Sequence, residues 1–386
     1  MTTHANTTAG FDRASLIAAI ATVSIVGIGL SLTIPLLSVR LEQANAPAWF
    51  NGLNTAVAGL ATLVGAPIAP RLAQRVGVWP LLMLALGVGL VALLAFAATD
   101  DPLVWLALRL PFGLSLTTLF VIGEYWVVAA APPARRGLVM GVYATVLSLG
   151  FAIGPALLMA VGTAGMLPFA AGAALFAIAG APVALARGRT PELDRAAHTP
   201  VLGFLTAVPV ATLAALVFGA IETGGMGLLP VYAIRAGFGA DAGPLLVTLI
   251  ALGNMALQLP IGYFADKLDK PKFLIALALC GLVGALVMPI AAQFGLVALG
   301  LVLMVWGGLT SGLYTVGLAH LGASYHGAQL ASANAAYIMY YSLGMMSGPP
   351  ALGAALDLGD ANGLFYGLAI LCGLYLAIVT LLRARS

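Results

Sequence analysis

The chain has 386 residues, of which 62% are apolar and only 8% charged, and its mean hydropathy is +1.07. That composition excludes an ordinary soluble globular domain, in which about a quarter of residues carry charge. The net charge of +3 is confined to a few loops and gives no argument for a nucleic-acid partner.

The charges fall between apolar stretches, and a stretch of about 20 such residues crosses a hydrocarbon core roughly 30 Å thick as a helix. Helices are required there because each backbone N–H and C=O must find a partner within its own segment. The first six predicted spans are Ala14 to Leu37, Asn51 to Pro70, Val78 to Ala98, Pro102 to Val127, Leu138 to Val161 and Leu167 to Ala186. A second six run Val201 to Tyr232, Gly243 to Phe264, Phe273 to Ala292, Leu296 to Ala319, Leu330 to Ala355 and Gly363 to Leu382. The expected fold class is an all-α integral membrane protein of twelve transmembrane helices. The first span is too long for a cleavable signal and is expected to persist as a helix.

Cationic loops are retained in the cytoplasm, so lysine and arginine set the orientation. With the N-terminus inside, the loops holding Arg13, Arg71, Arg75, Arg135, Arg136, Arg187, Arg189, Arg195, Lys267, Lys270, Lys272, Arg383 and Arg385 are all cytoplasmic. Only Arg40 and Arg235 fall outside, and Arg109 lies within the fourth span. The expectation is a multi-pass protein of the cell membrane with both termini in the cytoplasm.

The chain divides at a polar connector into residues 1–186, an N-terminal six-helix bundle, a cytoplasmic linker over 187–200, and residues 201–386, a C-terminal six-helix bundle. Signatures repeat between the halves. Pro35 of the first span recurs as Pro230 of the seventh, and Gly150-x-x-x-Gly154-Pro155 of the fifth recurs as Gly344-x-x-x-Gly348-Pro349 of the eleventh. Parallel repeats of this kind are an architecture of secondary transporters, with a site between the two bundles. Close helix packing is the plainer account of each glycine run, because small residues let backbones approach in lipid.

Three local patterns resemble the major facilitator superfamily over essentially the whole chain. The loop from Gly262 through Asp266-Lys267 to Lys272 resembles that family's G-x-x-x-D-[RK]-x-G-x-[RK]-[RK] motif, with Asp269 where glycine is usual. Its counterpart in the first half keeps Arg75 and Gly77 but lacks the carboxylate. Arg109-x-x-x-Gly113 resembles the fourth-span arginine motif, and Gly150 to Pro155 is similar to the antiporter motif, with Leu158 and Met159 replacing its final glycines. A closer similarity, to the YcaD-like branch, rests on Gly123-Glu124-Tyr125-Trp126, Arg136-Gly137, Gly227 to Tyr232, Gly312-Leu313-Tyr314-Thr315 and Ala331 to Ala335. The branch implies the fold and names no substrate.

Ionisable groups inside a membrane are costly unless they face a cavity or find partners, so each one within a span is a candidate for function. Glu222 lies deep in the seventh span, with Met226 and Pro230 following on its face at four-residue spacing. A carboxyl group exchanged between water and low dielectric binds and releases a proton, so Glu222 is the candidate for a proton, a cation or a cationic part of the substrate. Alternatively, it is a hydrogen-bonded glutamate that only orders packing. Arg109 stays charged in essentially any protein setting; it is read as holding an anionic group, as tuning a carboxylate, or as snorkelling to the outer interface. The resemblance to the fourth-span motif implies a part in proton coupling.

Glu124 lies fifteen residues beyond Arg109, about 22 Å along a helix, which places it at the cytoplasmic mouth. There it is expected to join Arg75 and Arg136 in a gate, with Asp266 and Lys267 as the latch of the second half. The expected cavity lining is Ser31, Asn54, Met226, Trp306, Thr310, Tyr314, Asn334 and Tyr337, with Ser24, Gly27, Asn254 and Tyr341 further candidates. A mostly apolar, aromatic lining with one acid suits an amphiphilic or weakly cationic solute.

Cys280 and Cys372 have no paired spacing, the four histidines fall at termini or helix edges, and no phosphate-binding loop occurs. The sequence implies no cofactor, no metal and no enzyme. The expected function is a monomeric secondary transporter, working by alternating access in the bilayer, that exports a small organic solute against protons. The rivals are an importer of an organic anion held by Arg109 and a nontransporting sensor.

Overall fold

The computed structural model describes residues 12–132, 136–191, 209–325 and 327–384. They form twelve helices: α1 (Arg13–Gln43), α2 (Ala48–Val76), α3 (Val78–Ala97), α4 (Pro102–Ala130), α5 (Arg136–Val161), α6 (Leu167–Leu185), α7 (Pro209–Arg235), α8 (Ala242–Lys267), α9 (Lys270–Gln293), α10 (Leu296–Ser324), α11 (Gly327–Leu358) and α12 (Gly363–Ala384). Each predicted span falls on one helix. Among the described residues ten helices are long and apolar enough to cross a membrane, and α5 adds a shorter apolar run, Thr145–Val161. Residues 201–208 of the predicted seventh span and most of the predicted linker lie outside the described residues.

Helix boundaries follow from local chemistry. The Asp12 carboxylate accepts from the amides of Ala14 and Ser15 to start α1, and Asp101 and Asp269 cap α4 and α9, each with proline in the first turn. Gly77 adopts φ 93°, a conformation that glycine enters without strain, and so turns the chain from α2 straight into α3.

Two large apolar cores result, with a small third cluster around Tyr337 and Leu321. One is built from α1 to α6, with Trp105, Trp126, Phe96, Phe112, Phe169 and Phe176 at its centre. The other is built mainly from α7 to α12 around Tyr232, Trp306, Phe365 and Tyr375. Large apolar side chains such as Leu84, Ile178, Leu259 and Val297 are exposed, as expected of a surface that meets lipid. Helices α1 and α7 are the most enclosed, with 72% and 78% of their most apolar stretches buried.

The halves meet along α2 with α11, α1 with α7, and α5 with α8. Backbone contact makes the α2–α11 seam. A Cβ on Gly52 would lie 2.1 Å from the Pro349 carbonyl oxygen, and one on Gly59 2.7 Å from the Met346 amide. Within each half the repeated glycine motif seats one helix on another: Gly154 abuts Ser31 and Leu32 of α1, and Gly348 abuts Ala220 of α7. The repeat read from the sequence is therefore a repeat of packing.

Candidate functional site

Twelve alternating helices put both ends of the chain on one face, here the terminal face. Among the described residues, three polar groupings bear on the candidate site.

The first lies between the halves. Glu222 sits near the middle of α7, half-buried, and accepts a hydrogen bond from the Tyr341 hydroxyl of α11. The Tyr341 ring packs 5.4 Å from that of Tyr314 on α10, and Phe218, one turn before Glu222, lies 6.1 Å and 5.7 Å from the two. Tyr337 backs the group, donating at 2.7 Å to the Tyr314 carbonyl. From the other half, Glu124 of α4 accepts from the Tyr143 hydroxyl of α5 at 2.8 Å. The Tyr314 hydroxyl lies within electrostatic reach of both carboxylates. Two half-buried acids, one from each half, thus act electrostatically on one tyrosine of the aromatic cluster.

Glu124 departs from the sequence reading. It is expected among the loop arginines at a gate, whereas its hydrogen-bond partner is Tyr143 of the next helix. The other gate residues are not brought together: among the described residues Arg75 and Asp266 form no ion pair, and Lys267 bonds and stacks on Tyr263 of its own helix. The side chain of Arg136 lies outside the described residues.

The second grouping is inside the first half. Arg109 is 2% exposed, donating from Nε to Asn54 Oδ1 at 2.7 Å and from its two Nη atoms to the Thr33 hydroxyl and carbonyl at 3.1 and 3.2 Å. It does not snorkel. Gly113, one turn on, lets α4 close on α2, since a Cβ there would meet Ala61 at 2.7 Å.

Several expected lining residues are spent on helix packing. Trp306 donates to the Gly281 carbonyl of α9 at 2.8 Å and fills the space beside Gly284. Thr310 is 2% exposed and bonds back to the Trp306 carbonyl, and Ser31 reaches the Gly150 carbonyl across the α1–α5 contact. Asn54 is committed to Arg109. Met226, Tyr314 and Asn334 remain half-buried, whereas Tyr337 is fully enclosed behind Tyr314.

The third grouping joins the two halves at the opposite face and has no counterpart in the sequence reading. Arg235, at the end of α7, pairs with Glu42 of α1 at 2.8 Å and with Asp357 of α11 at 2.9 Å. Asp357 also accepts from the amides of Ala48 and Trp49, which begin α2. Partial burial pushes the Asp357 carboxyl up, yet those amides and the guanidinium together hold it below its ordinary value. No neighbour in sequence signals this grouping; helix-end charges of opposite sign were the one available hint.

The chain is matched by a family model described as Major Facilitator Superfamily, over residues 19–250 and 242–386. The chain belongs to the Major Facilitator Superfamily. It is accordingly a membrane transporter and no enzyme. The MFS-type transporter YfkF of Bacillus subtilis is 26% identical over 370 residues, 92% of this chain and 93% of the relative. YcaD of Salmonella typhimurium is 24% identical over 356 residues, 89% of each, in agreement with the branch that the motifs resemble. Among solved structures, the nucleoside transporter NupG (D323A mutant) superimposes with a TM-score of 0.81 at 13% identity, over 95% of this chain and 99% of that one. A bacterial homologue of the human lysosomal transporter Spinster, inward-facing and unoccupied, gives 0.71 at 12% identity, over 95% and 94%. These two likenesses bear on fold alone.

Proposed function

We propose that this superfamily member is a proton-coupled exporter of an amphiphilic, weakly cationic organic solute, with Glu222 exchanging the proton for the solute. The observation that carries the reading is the half-buried Glu222 carboxylate on the most enclosed helix of the second half, hydrogen-bonded by Tyr341 and walled by Tyr314 and Phe218. A carboxylate set against aromatic faces attracts a cation by charge and by the ring quadrupoles. The same carboxylate, when protonated, releases it. Glu124 of the first half supplies a second acid, within electrostatic reach of the Tyr314 hydroxyl.

In this reading residues 1–186 and 201–386 rock as two bundles about the linker 187–200, in a monomer of the cell membrane with both termini cytoplasmic. Closure of the opposite face by Arg235 supports a conformation open toward the termini. Arg75, Arg136, Asp266 and Lys267 would then engage in the alternate state, when the terminal face closes.

A thermal-shift screen of organic amines on the purified protein, followed by flux of the hits in proteoliposomes with and without a pH gradient, tests this. Gradient-driven flux is expected in the wild type and its loss in Glu222→Gln, with gradient-independent exchange retained. Intact coupling in Glu222→Gln would remove the proposed role.

A further inference from the structure

Arg109 is a buried cation of α4 whose hydrogen-bond partners, Thr33 of α1 and Asn54 of α2, are neutral. Its guanidinium carries five N–H groups. Three have acceptors, in Asn54 Oδ1, the Thr33 hydroxyl and the Thr33 carbonyl. The Thr33 hydroxyl spends its own hydrogen on the Gly29 carbonyl at 2.7 Å. Asn54 must turn its oxygen to Arg109, which leaves its amide nitrogen as the one buried side-chain nitrogen or oxygen with no hydrogen-bond partner among the described residues. Two guanidinium hydrogens and both Asn54 amide hydrogens are thus left over in one cluster. No ion pair among the described residues includes Arg109. Glu222 and Glu124 are engaged elsewhere, by Tyr341 and Tyr143.

A surplus of donors around an uncompensated positive charge is the complement of an anion, because an anion supplies acceptors and counter-charge together. Water would satisfy the donors and leave the charge. We propose that Arg109, Asn54 and Thr33 bind one small monovalent anion, either a free halide or the carboxylate group of a transported solute. Arg109 and Asn54 supply the four unspent hydrogens, and Thr33 holds the guanidinium in place. The site is separate from Glu222, so it stands or falls independently of proton coupling.

The test is thermal unfolding of the purified full chain as gluconate is replaced, at constant ionic strength, by chloride, bromide, formate or acetate. A saturable rise is expected, of roughly 2 °C or more once the anion reaches ten times its Kd. A response to the halides alone assigns a free ion, and a response to formate and acetate alone assigns a solute carboxylate. A response to both classes assigns the shared site. Asn54→Asp places a carboxylate beside the guanidinium and is expected to flatten the response at least tenfold while keeping the fold. The proposal is overturned if none of the four anions shifts wild-type unfolding, or if Asn54→Asp responds as the wild type does. Should Asn54→Asp fail to fold, Asn54→Leu, which removes both amide hydrogens, must weaken the apparent Kd at least tenfold for the assignment to stand.

Discussion

Tyr341 brings its hydroxyl to Glu222 from 119 positions downstream, and the Tyr341 ring is held in place by Phe218 and Tyr314 whether or not that hydroxyl is present. Tyr341→Phe therefore removes one hydrogen bond to a carboxylate while sparing the packing. Hydrogen bonds to charged groups contribute about 1.5–3 kcal/mol, so gradient-driven flux should fall by about tenfold or more. In the Glu222→Gln background the same change should add little, and a double-mutant cycle on transport rate measures that coupling. Additive losses would mean that the two side chains act separately. The depth of Glu222 was legible from its place in an apolar run, because hydropathy fixes depth. Its partner was not, since sequence spacing says which residues share a face and nothing about which face of a distant helix turns toward it. Glu124 illustrates the same limit: the nearby arginines of the chain looked like its partners, and Tyr143 on the next helix took that place.

At the scale of helices, twelve spans and an internal repeat could be read directly, because membrane thickness dictates length and backbone hydrogen bonding dictates helix. The repeated glycines were readable as close packing, and the structure places them at matching seams, α5 on α1 and α11 on α7. Enlarging one should overpack its seam. At Gly348 a Cβ already meets the Ala220 Cα at 2.4 Å, so Gly348→Val should destabilise by about 1–3 kcal/mol and lower the apparent Tm. Gly87→Ala is the internal control, because nothing lies within 4 Å of a Cβ there. Equal shifts in the two variants would argue that the glycine motif matters for something other than packing. Trp306 and Thr310 show where periodicity misleads: four-residue spacing put them on one face correctly, and that face packs on α9.

For the whole molecule, the ion pairs of Arg235 with Glu42 and Asp357 bias which face is open. Each pair is partly exposed and contributes on the order of 1 kcal/mol, about a fivefold change in a two-state population. Arg235→Gln should therefore open the opposite face measurably, read as a longer distance between spin labels at Asn45 and Gly359 in electron resonance. An unchanged distance distribution would show that the backbone seam alone holds that face shut. Acid should not imitate the substitution. The folded Asp357 carboxyl is held below its ordinary value, so its contribution is complete above that value and is lost only as pH falls through the depressed one. Between about pH 5 and 8 the Asp357 contribution is therefore constant, so in the Glu222→Gln background the label distance should not change with pH.

Pro47, the residue before α2, offers no side-chain cap, and the first two amides of that helix are held instead by a carboxylate from α11. One half of the molecule thus finishes a helix belonging to the other. Whenever the bundles part on that side, the Ala48 and Trp49 amides pass to water and the first turn is free to fray. Deuterium uptake at these two positions would then time each excursion, a clock built into the backbone that needs no label and no knowledge of the cargo.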